Sequence, residues 1–584
     1  MNKPQYYHLS FPLNVYAHSL YLQQHQVEYL HYGLLEDNED PWEVGALKAQ
    51  QRSSELILAH LPPPPARILE IGVGLGTLSA LLTQKGYQVT GISPDPYQIA
   101  LAKARAINRF NLQCVSFEEF NTLAKNFDII VLQESAQYLD TLLLFNKAYR
   151  LLTENGLMLI IDEVSLQRRP SNDIEGLPLL KYTLAQAQRC GFKVLKQVDL
   201  SKKAAPTLDY LLKAIQHHRT QLHTDLALPQ AQLEALLDSL RRYQQKYRDG
   251  RYGYVFLLLQ KYRQPRWHIQ AVTPQHQEAV RTLFSQVFEN NMSAALWNWK
   301  YDRGRGMATA AWRDHTMVAH YGGIIRALSY FGQPKTGVQI VDVMVATQER
   351  GVLTRQGPYF LVGATFPECY AGYGNRILLG FGFPTAKAIR IAERLGLYAE
   401  VGKMVEIQWI AASARPRLWT RIRHLQPQDK PSDRVIIDQL WHQMRNQLPY
   451  AIVGVRDWPY IQHRYLAHPH KHYELLLINK RFSGKPLGIV VLYREQDNCK
   501  LLDIIAPLHH IPVVIQQTRR IIGNWGLKTL SLWITENFAE LFLQTGGQAH
   551  AIDVRIPHCI WYEGPPVEEV QGKWWLMGGD TDFM

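Results

Sequence analysis

The stretch Arg67-Ile68-Leu69-Glu70-Ile71-Gly72-Val73-Gly74-Leu75-Gly76-Thr77 constrains the fold more than any other part of the chain. A short apolar run ends in an acid, then in glycines at alternate positions, and Leu78, Leu81 and Leu82 follow at helical spacing. The pattern predicts strand, tight loop and helix. Glycines let a backbone approach a ligand closely and adopt positive φ where needed, so the loop is the expected wall of a nucleotide-type cofactor site. Dinucleotide folds use G-x-G-x-x-G to seat a pyrophosphate, whereas the order here is E-x-G-x-G-x-G.

That order resembles motif I of the class I S-adenosylmethionine (SAM)-dependent methyltransferases, and the resemblance extends over about residues 1–262. It implies a Rossmann-like, seven-stranded α/β sheet with a helical lid, and S-adenosyl-L-methionine as cofactor. The family's loop wraps the methionine part and the ribose, so Glu70, Gly72, Gly74 and Gly76 carry over as cofactor-binding residues. Strand two is expected at 88–92. The family usually ends it with a ribose-binding acid, but Ser93 stands there with Asp95 two residues on. A similar serine-containing turn occurs in methyltransferases resembling the cyclopropane-fatty-acid synthase group, so both residues are assigned to the cofactor. Strand three, 112–116, leads into Glu118 and Glu119, which either receive the adenine amino group or form a solvated surface pair.

Strand four, 127–132, delivers Gln133, Glu134 and Tyr138 to the carboxyl edge of the sheet, where open α/β folds bind ligands. Gln133 is assigned to the cofactor. Methyl transfer needs an oriented acceptor and sometimes a base, so Glu134 is the candidate base or orienting carboxylate, with Tyr138 and His31 as neighbours. The alternative for Glu134 is an acid stabilised at a helix N-terminus. Upstream, Tyr29-Leu30-His31-Tyr32-Gly33 resembles the segment that lies over the active site in several small-molecule methyltransferases. Its rings either shield a sulfonium or bind an amine acceptor by cation–π contact, or they pack the core of a lid.

Strand five at 157–161 and a final pair at 191–195 and 252–258 complete the expected sheet. Between the last two, Leu208, Leu211, Leu212 and Ile215 predict one helix, and Leu233, Leu236, Leu237 and Leu240 a second, with Pro229 in its first turn. Both would cover the acceptor pocket. The run Arg241, Arg242, Lys246, Arg248 and Arg251 either attracts an anionic substrate or is a solvated helix face.

After Gln264-Pro265 a different pattern begins. A helix at 278–288 and strands at 319–326 and 338–345 lead into Gln348-Glu349-Arg350-Gly351-Val352-Leu353. This resembles the pyrophosphate loop of the GNAT N-acetyltransferases, Q/R-x-x-G-x-G/A, matched by Gln348, Arg350 and Gly351, with Leu353 where the family has a small residue. Such a loop binds coenzyme A through backbone amides at a helix N-terminus, so acetyl-CoA or another acyl-CoA is the implied second cofactor. Later in the same resemblance Tyr398 is the general-acid candidate, or an ordinary core tyrosine.

A linker is expected over 426–433, and then the pattern recurs. Trp299-Lys300-Tyr301 matches His463-Arg464-Tyr465, and Val341-Asp342-Val343 matches Leu502-Asp503-Ile504, which reads as a tandem duplication. The second copy has Ala506 to His510 where the glycine-bearing loop would be, so it is expected to bind no coenzyme. Asp342 and Asp503 are either bases or polar strand residues.

The 584 residues exceed one core and suggest three or four units, read as a methyltransferase domain at 1–262 and two GNAT-like α+β domains at 265–425 and 434–584. Net charge of +12, from 63 Lys and Arg against 51 Asp and Glu, is compatible with an acidic small molecule, a lipid headgroup or nucleic acid. No N-P-P-[YF] motif or basic–aromatic repeat is present, which argues against nucleic acid. Five cysteines without C-x-x-C spacing indicate neither a disulfide framework nor a zinc site, and point to a reduced, cytoplasmic setting. The opening residues, 1–5, lack an apolar signal core, and no apolar run approaches the roughly 20 residues of a membrane span. The resulting expectation is a bifunctional transferase: a methyltransferase of a small metabolite, sugar or lipid headgroup fused to an acyl-CoA-dependent N-acyltransferase. In one alternative the second half is a silent binding or assembly module; in another the protein modifies nucleic acid.

Overall fold

The computed structural model describes residues 5–106, 110–167, 176–412, 419–425 and 430–584. Residues 1–4 of the expected start and 426–429 of the expected linker lie outside the described residues. The chain forms two compact units, residues 1–268 and 269–584.

The first unit is built on seven strands: β1 (Arg67–Ile71), β2 (Gln88–Ser93), β3 (Asn111–Cys114), β4 (Phe127–Gln133), β5 (Leu152–Ser165), β6 (Phe192–Asp199) and β7 (Tyr252–Lys261). Their order is β3-β2-β1-β4-β5-β7-β6. The first five run parallel and β7 is antiparallel to both β5 and β6. Strands β1 and β4 lie in the middle, covered on both faces, which is why they read as continuous apolar runs; Ile68, Leu69, Ile129, Ile130, Val131 and Leu132 are all fully buried. Order reverses between β1 and β4, so the loops after them open a crevice at the carboxyl edge. The insertion between β6 and β7 holds four helices rather than the expected two: Ser201–Ala204, Pro206–His217, Arg219–Asp225 and Gln230–Arg248. The two long ones carry the periodic leucines. The short ones bury little apolar surface and leave no period to read. Pro229 caps the last helix from outside instead of joining its first turn.

The second unit contains two seven-stranded sheets. Its strands are β8 (His268–Ala271), β9 (Gly306–Arg313), β10 (Thr316–Tyr330), β11 (Gln333–Val345), β12 (Leu379–Phe381), β13 (Tyr398–Ile410), β14 (Thr420–His424), β15 (Ile452–Gly454), β16 (Glu474–Lys480), β17 (Pro486–Glu495), β18 (Asn498–Ile505), β19 (Thr529–Thr535), β20 (Gln548–Cys559) and β21 (Trp574–Trp575). In one sheet β9, β10 and β11 are antiparallel neighbours and β12 joins β11 in parallel. In the other, β16, β17 and β18 repeat that meander and β19 joins β18 in parallel. A division at 425–434 does not separate the sheets, because each half lends strands to the other. β13 lies between β19 and β20, while β15 and β21 extend the sheet of β10.

The repeat reaches individual side chains. Tyr301 donates to Asp342 Oδ2 at 2.6 Å, and Tyr465 donates to Asp503 Oδ2 at 2.5 Å. Both aspartates are buried against cations, Asp342 by Lys300 Nζ at 2.7 Å and Asp503 by Arg456 Nε at 2.7 Å. Burial alone would raise the Asp342 pKa, but Lys300 and Tyr301 hold it below the usual carboxylate range. These are ion pairs of the core. Asp580 completes the second network, accepting from Arg326 at 2.9 Å and Arg456 at 2.6 Å.

Candidate active site

At the carboxyl edge of the first sheet a cavity of about 470 Å³ lies between the glycine loop, the loops after β2, β3 and β4, and the N-terminal segment around 28–31. Gly72 and Gly74 both have positive φ, +83° and +51°, and both line it. A Cβ built on Gly74 meets nothing nearer than Leu30 Cδ1 at 3.9 Å, so the bare backbone leaves open space for a ligand. Gly72 is needed for a different reason: its Cβ would fall 2.6 Å from that of Ser135. Gly76, expected at the cofactor, is not on the cavity wall; it has φ +78° and abuts Ala102, whose Cβ would be 2.7 Å away. Its missing side chain lets the two helices pack closely there.

Ser93 and Asp95 both reach the cavity. Ser93 Oγ donates to Gln98 at 2.9 Å and accepts from the Asp95 amide at 3.2 Å. Asp95 accepts from the amides of Tyr97 and Gln98, at 2.8 and 3.3 Å, and so caps helix Pro96–Ala106 while facing the site. Glu118 lines the cavity, whereas Glu119 points into solvent. Gln133 lines it and donates to Ser53 Oγ at 3.0 Å. Glu70, at the end of β1, is buried and accepts from Ser79. Burial pushes its carboxyl up to about 8 against the lowering effect of that bond.

Glu134, Tyr138 and His31 are brought to the same cavity. Glu134 has φ +55° at the turn leaving β4. Its Oε1 accepts from the Tyr32 amide at 2.5 Å and from the Tyr254 hydroxyl at 2.7 Å. Both bonds fall on one oxygen, Oε1. Desolvation and then the nearby Glu163 carboxylate raise its pKa well above the ordinary value, opposed by the two donors. His31 donates through Nδ1 to the Tyr32 carbonyl at 2.9 Å, and desolvation lowers its pKa to about 4, so its ring is neutral near pH 7. Tyr138 is 77 % exposed at the rim.

Two carboxyls behind Glu134 escape a sequence reading. Asp162 accepts from the amides of Ala136 and Gln137 at 2.7 and 3.1 Å, and burial raises its pKa to about 7. Glu163 accepts from Tyr247 at 2.7 Å and Tyr243 at 3.2 Å, tying the inserted helix Gln230–Arg248 to β5. The available signal was their position at the carboxyl end of the strand next to β4. Among the described residues that line the cavity, Glu28, Glu70, Asp95, Glu118 and Glu134 are acids, and none is lysine or arginine. The basic run at 241–251 therefore supplies no lining cation.

The expected coenzyme A residues lie in the second unit. Gln348, Arg350 and Gly351 are exposed, and Arg350 Nε donates to the Val345 carbonyl at 2.9 Å. The loop does not open directly into a helix. A 3-10 turn spans Thr347–Glu349 and the following helix begins only at Pro358, so residues 350–355 precede it, and Leu353 is 57 % exposed. Tyr398 is buried with its hydroxyl against that of Tyr321, and burial raises its pKa well above the ordinary value. Among the described residues no group of three or more His, Cys, Asp or Glu is arranged to hold a metal ion, and no helix is long and apolar enough to cross a membrane.

Residues 69–160 match the methyltransferase domain family. The chain is 32% identical over 98 residues to a ubiquinone biosynthesis O-methyltransferase of Bradyrhizobium diazoefficiens, covering 16% of this chain and 38% of that protein. It is 29% identical over 167 residues to a geranyl diphosphate 2-C-methyltransferase of Saccharopolyspora erythraea, covering 25% and 56%. It thus spans well under two thirds of either relative. Among solved structures the cyclopropane synthase MmaA2 from Mycobacterium tuberculosis aligns at 18% identity and TM-score 0.38, over 44% of this chain and 99% of that one. The glycine loop and Glu134 both lie inside the matched segment, while Ser10, Leu13 and Glu28 to His31 of the cavity wall lie before it.

Proposed function

We propose that the first unit is a SAM-dependent methyltransferase of a small neutral or cationic acceptor. The observation that carries this reading is a cavity walled by a glycine loop whose bare, positive-φ backbone leaves open space at Gly74, with acids and no lysine or arginine among its described lining residues. SAM bears a sulfonium and an ammonium against one carboxylate, a net positive charge that Asp95 and Glu118 complement, whereas Glu70 holds its proton and Glu28 is paired with Arg105. The same lining favours a metabolite or sugar over an anionic headgroup. Gly72 and Gly74 would hold the cofactor by backbone approach, Ser93, Asp95 and Gln98 by hydrogen bonds at the end of β2, and Glu118 at the adenine side. SAM supplies an electrophilic methyl group. Glu134 orients the acceptor and takes its proton on Oε2, held in place by Tyr254 and the Tyr32 amide. His31, neutral, and Tyr138 complete the acceptor side. A thermal-shift titration of the full chain tests the reading: SAM at about 100 times its dissociation constant stabilises by roughly 2.7 kcal/mol, and no shift at millimolar SAM contradicts it.

For the second unit the reading is two GNAT-like halves, supported by the repeated meander with its added parallel strand and by the matched Tyr–Asp bonds. Acyl-CoA binding by Gln348, Arg350 and Gly351 in the first half is part of that reading. The silent-module alternative is favoured by one observation, the delayed helix start at Pro358, which leaves the loop without an adjoining helix N-terminus.

A further inference from the structure

Four residues of the cavity wall, Glu28, Tyr29, Leu30 and His31, come from one irregular segment between helices Leu13–Gln24 and Ala46–Leu58. Its two ends are held differently. At the far end the Tyr32 amide is bonded to Glu134, Gln50 Nε2 donates to the His31 carbonyl at 2.6 Å, and the Leu34 amide donates to the Ala49 carbonyl at 2.8 Å. Gly33 is wedged there, since a Cβ on it would fall 2.9 Å from the Ala49 carbonyl carbon. That end is fixed in the core.

At the near end the Val27 side chain is buried, and the polar ties converge on one side chain. Arg105, at the end of helix Pro96–Ala106, donates through Nη2 to the Val27 carbonyl at 2.6 Å and through Nη1 to the Glu28 carboxylate and to Thr77 Oγ1, the latter at 2.9 Å. Thr77 in turn donates to the Glu28 carbonyl. Thr77 is the first residue of the helix that follows the glycine loop. One guanidinium therefore joins the lid, the glycine-loop helix and the helix carrying the β2-end contacts. Arg105 and Glu28 are about a quarter exposed, 26% and 28%, so this end is open to water and to salt in a way the Tyr32 end is not.

We infer that Arg105 is a positioning residue that latches the 27–31 segment over the cofactor cavity, so that the lid opens from its Arg105 end when cofactor enters or leaves. The latch rests on the proposed SAM site. Arg is suited to this task because its planar fork makes bonds to the carbonyl, the carboxylate and the hydroxyl from a fixed geometry.

The test compares full-length wild type, Arg105→Ala and Arg105→Lys by stopped-flow release of S-adenosylhomocysteine and by amide hydrogen exchange without ligand. Arg105→Ala is expected to speed release about 10-fold or more, and to raise exchange at 27–31 while leaving β1 and β4 protected. Arg105→Lys keeps the charge but not the fork and is expected to fall between. Wild-type release is expected to accelerate with salt, and Arg105→Ala to lose that dependence. Release and exchange unchanged in Arg105→Ala overturn the latch, as does exchange that rises equally across the whole sheet, which marks a general loss of stability. If wild type binds neither ligand the cofactor reading fails by itself, and exchange at 27–31 still decides the latch.

Discussion

Tyr254, on β7, donates its hydroxyl to Glu134 Oε1 at 2.7 Å across 120 residues of sequence. The bond joins the last antiparallel strand of the sheet to the turn after β4, and it fixes a carboxylate that lines the cavity. Glu134→Gln is expected to retain SAM binding while methyl transfer falls by roughly 10²–10⁴, the usual cost of a lost acid–base group. Tyr254→Phe removes only the support, so a smaller loss with a shifted pH profile is expected. Full turnover of Glu134→Gln with an identified acceptor would reduce the residue to a turn acid.

Burial raises the carboxyls of Glu70, to about 8, and Asp162, to about 7, and that of Glu163 as well. In the folded state Glu70 and Asp162 hold protons that the unfolded chain has released above about pH 4.5. Their contribution is therefore fully present below the unfolded values and is lost as pH rises toward 8, each bound proton in excess costing about 1.4 kcal/mol per pH unit. The first unit is expected to be more stable at pH 5 than at pH 8 in urea titrations. Glu70→Gln should flatten that slope, and an unchanged slope would contradict the assignment.

The second unit depends on a buried anion. Asp580 sits fully buried between Arg326 and Arg456. Asp580→Asn leaves two buried guanidinium groups short of a charge, and breaking such a pair typically costs about 3–5 kcal/mol. Chemical denaturation should show the second unit's transition moving to lower denaturant while the first unit's transition stays. A stability change within about 0.5 kcal/mol, the range of ordinary surface substitutions, would mean the cluster is solvated.

The sheet of the first unit was legible because its parallel central strands carry apolar runs, Ile68-Leu69 and Ile129 to Leu132, and polar residues stand at or beside their carboxyl ends, as Glu70, Ser93 and Glu134 do. The cavity residues on those ends follow from the same rule. Gly76 is harder to place from sequence because a positive-φ glycine serves close packing as readily as ligand approach, and only the position of Ala102 shows the packing here. Arg105 and Glu163 were invisible for another reason: each acts through partners 28 to 84 residues away in sequence, and a lone charge on a helix or at a strand end carries no local mark of its partner. In the second unit the repeat of Tyr301 with Asp342 by Tyr465 with Asp503 was readable, but the exchange of β13, β15 and β21 between the sheets was not, since strand patterning records which face is buried and not which sheet receives it.

Acyl-CoA binding separates the two readings of the second unit. If the loop at 348–355 holds a pyrophosphate through its backbone amides, the full chain takes up one equivalent of acetyl-CoA, and Gly351→Asp abolishes it by setting a carboxylate beside the phosphates. A Cβ at Gly351 meets nothing within 4 Å, so the substitution leaves the fold intact. The result expected from the proposed reading is one equivalent, lost in Gly351→Asp. No uptake of any acyl-CoA by the wild type selects the silent module.

The central claim is that the cavity beside Gly74 is a SAM site, and isothermal titration of the full chain with SAM tests it most directly. One equivalent is expected for wild type. Gly74→Val, which puts a branched side chain into the open space by Leu30 and strains a backbone at φ +51°, is expected to show no binding while far-ultraviolet circular dichroism stays that of the wild type. Unchanged affinity in a folded Gly74→Val protein, or no heat of binding in the wild type at millimolar SAM, would contradict the account.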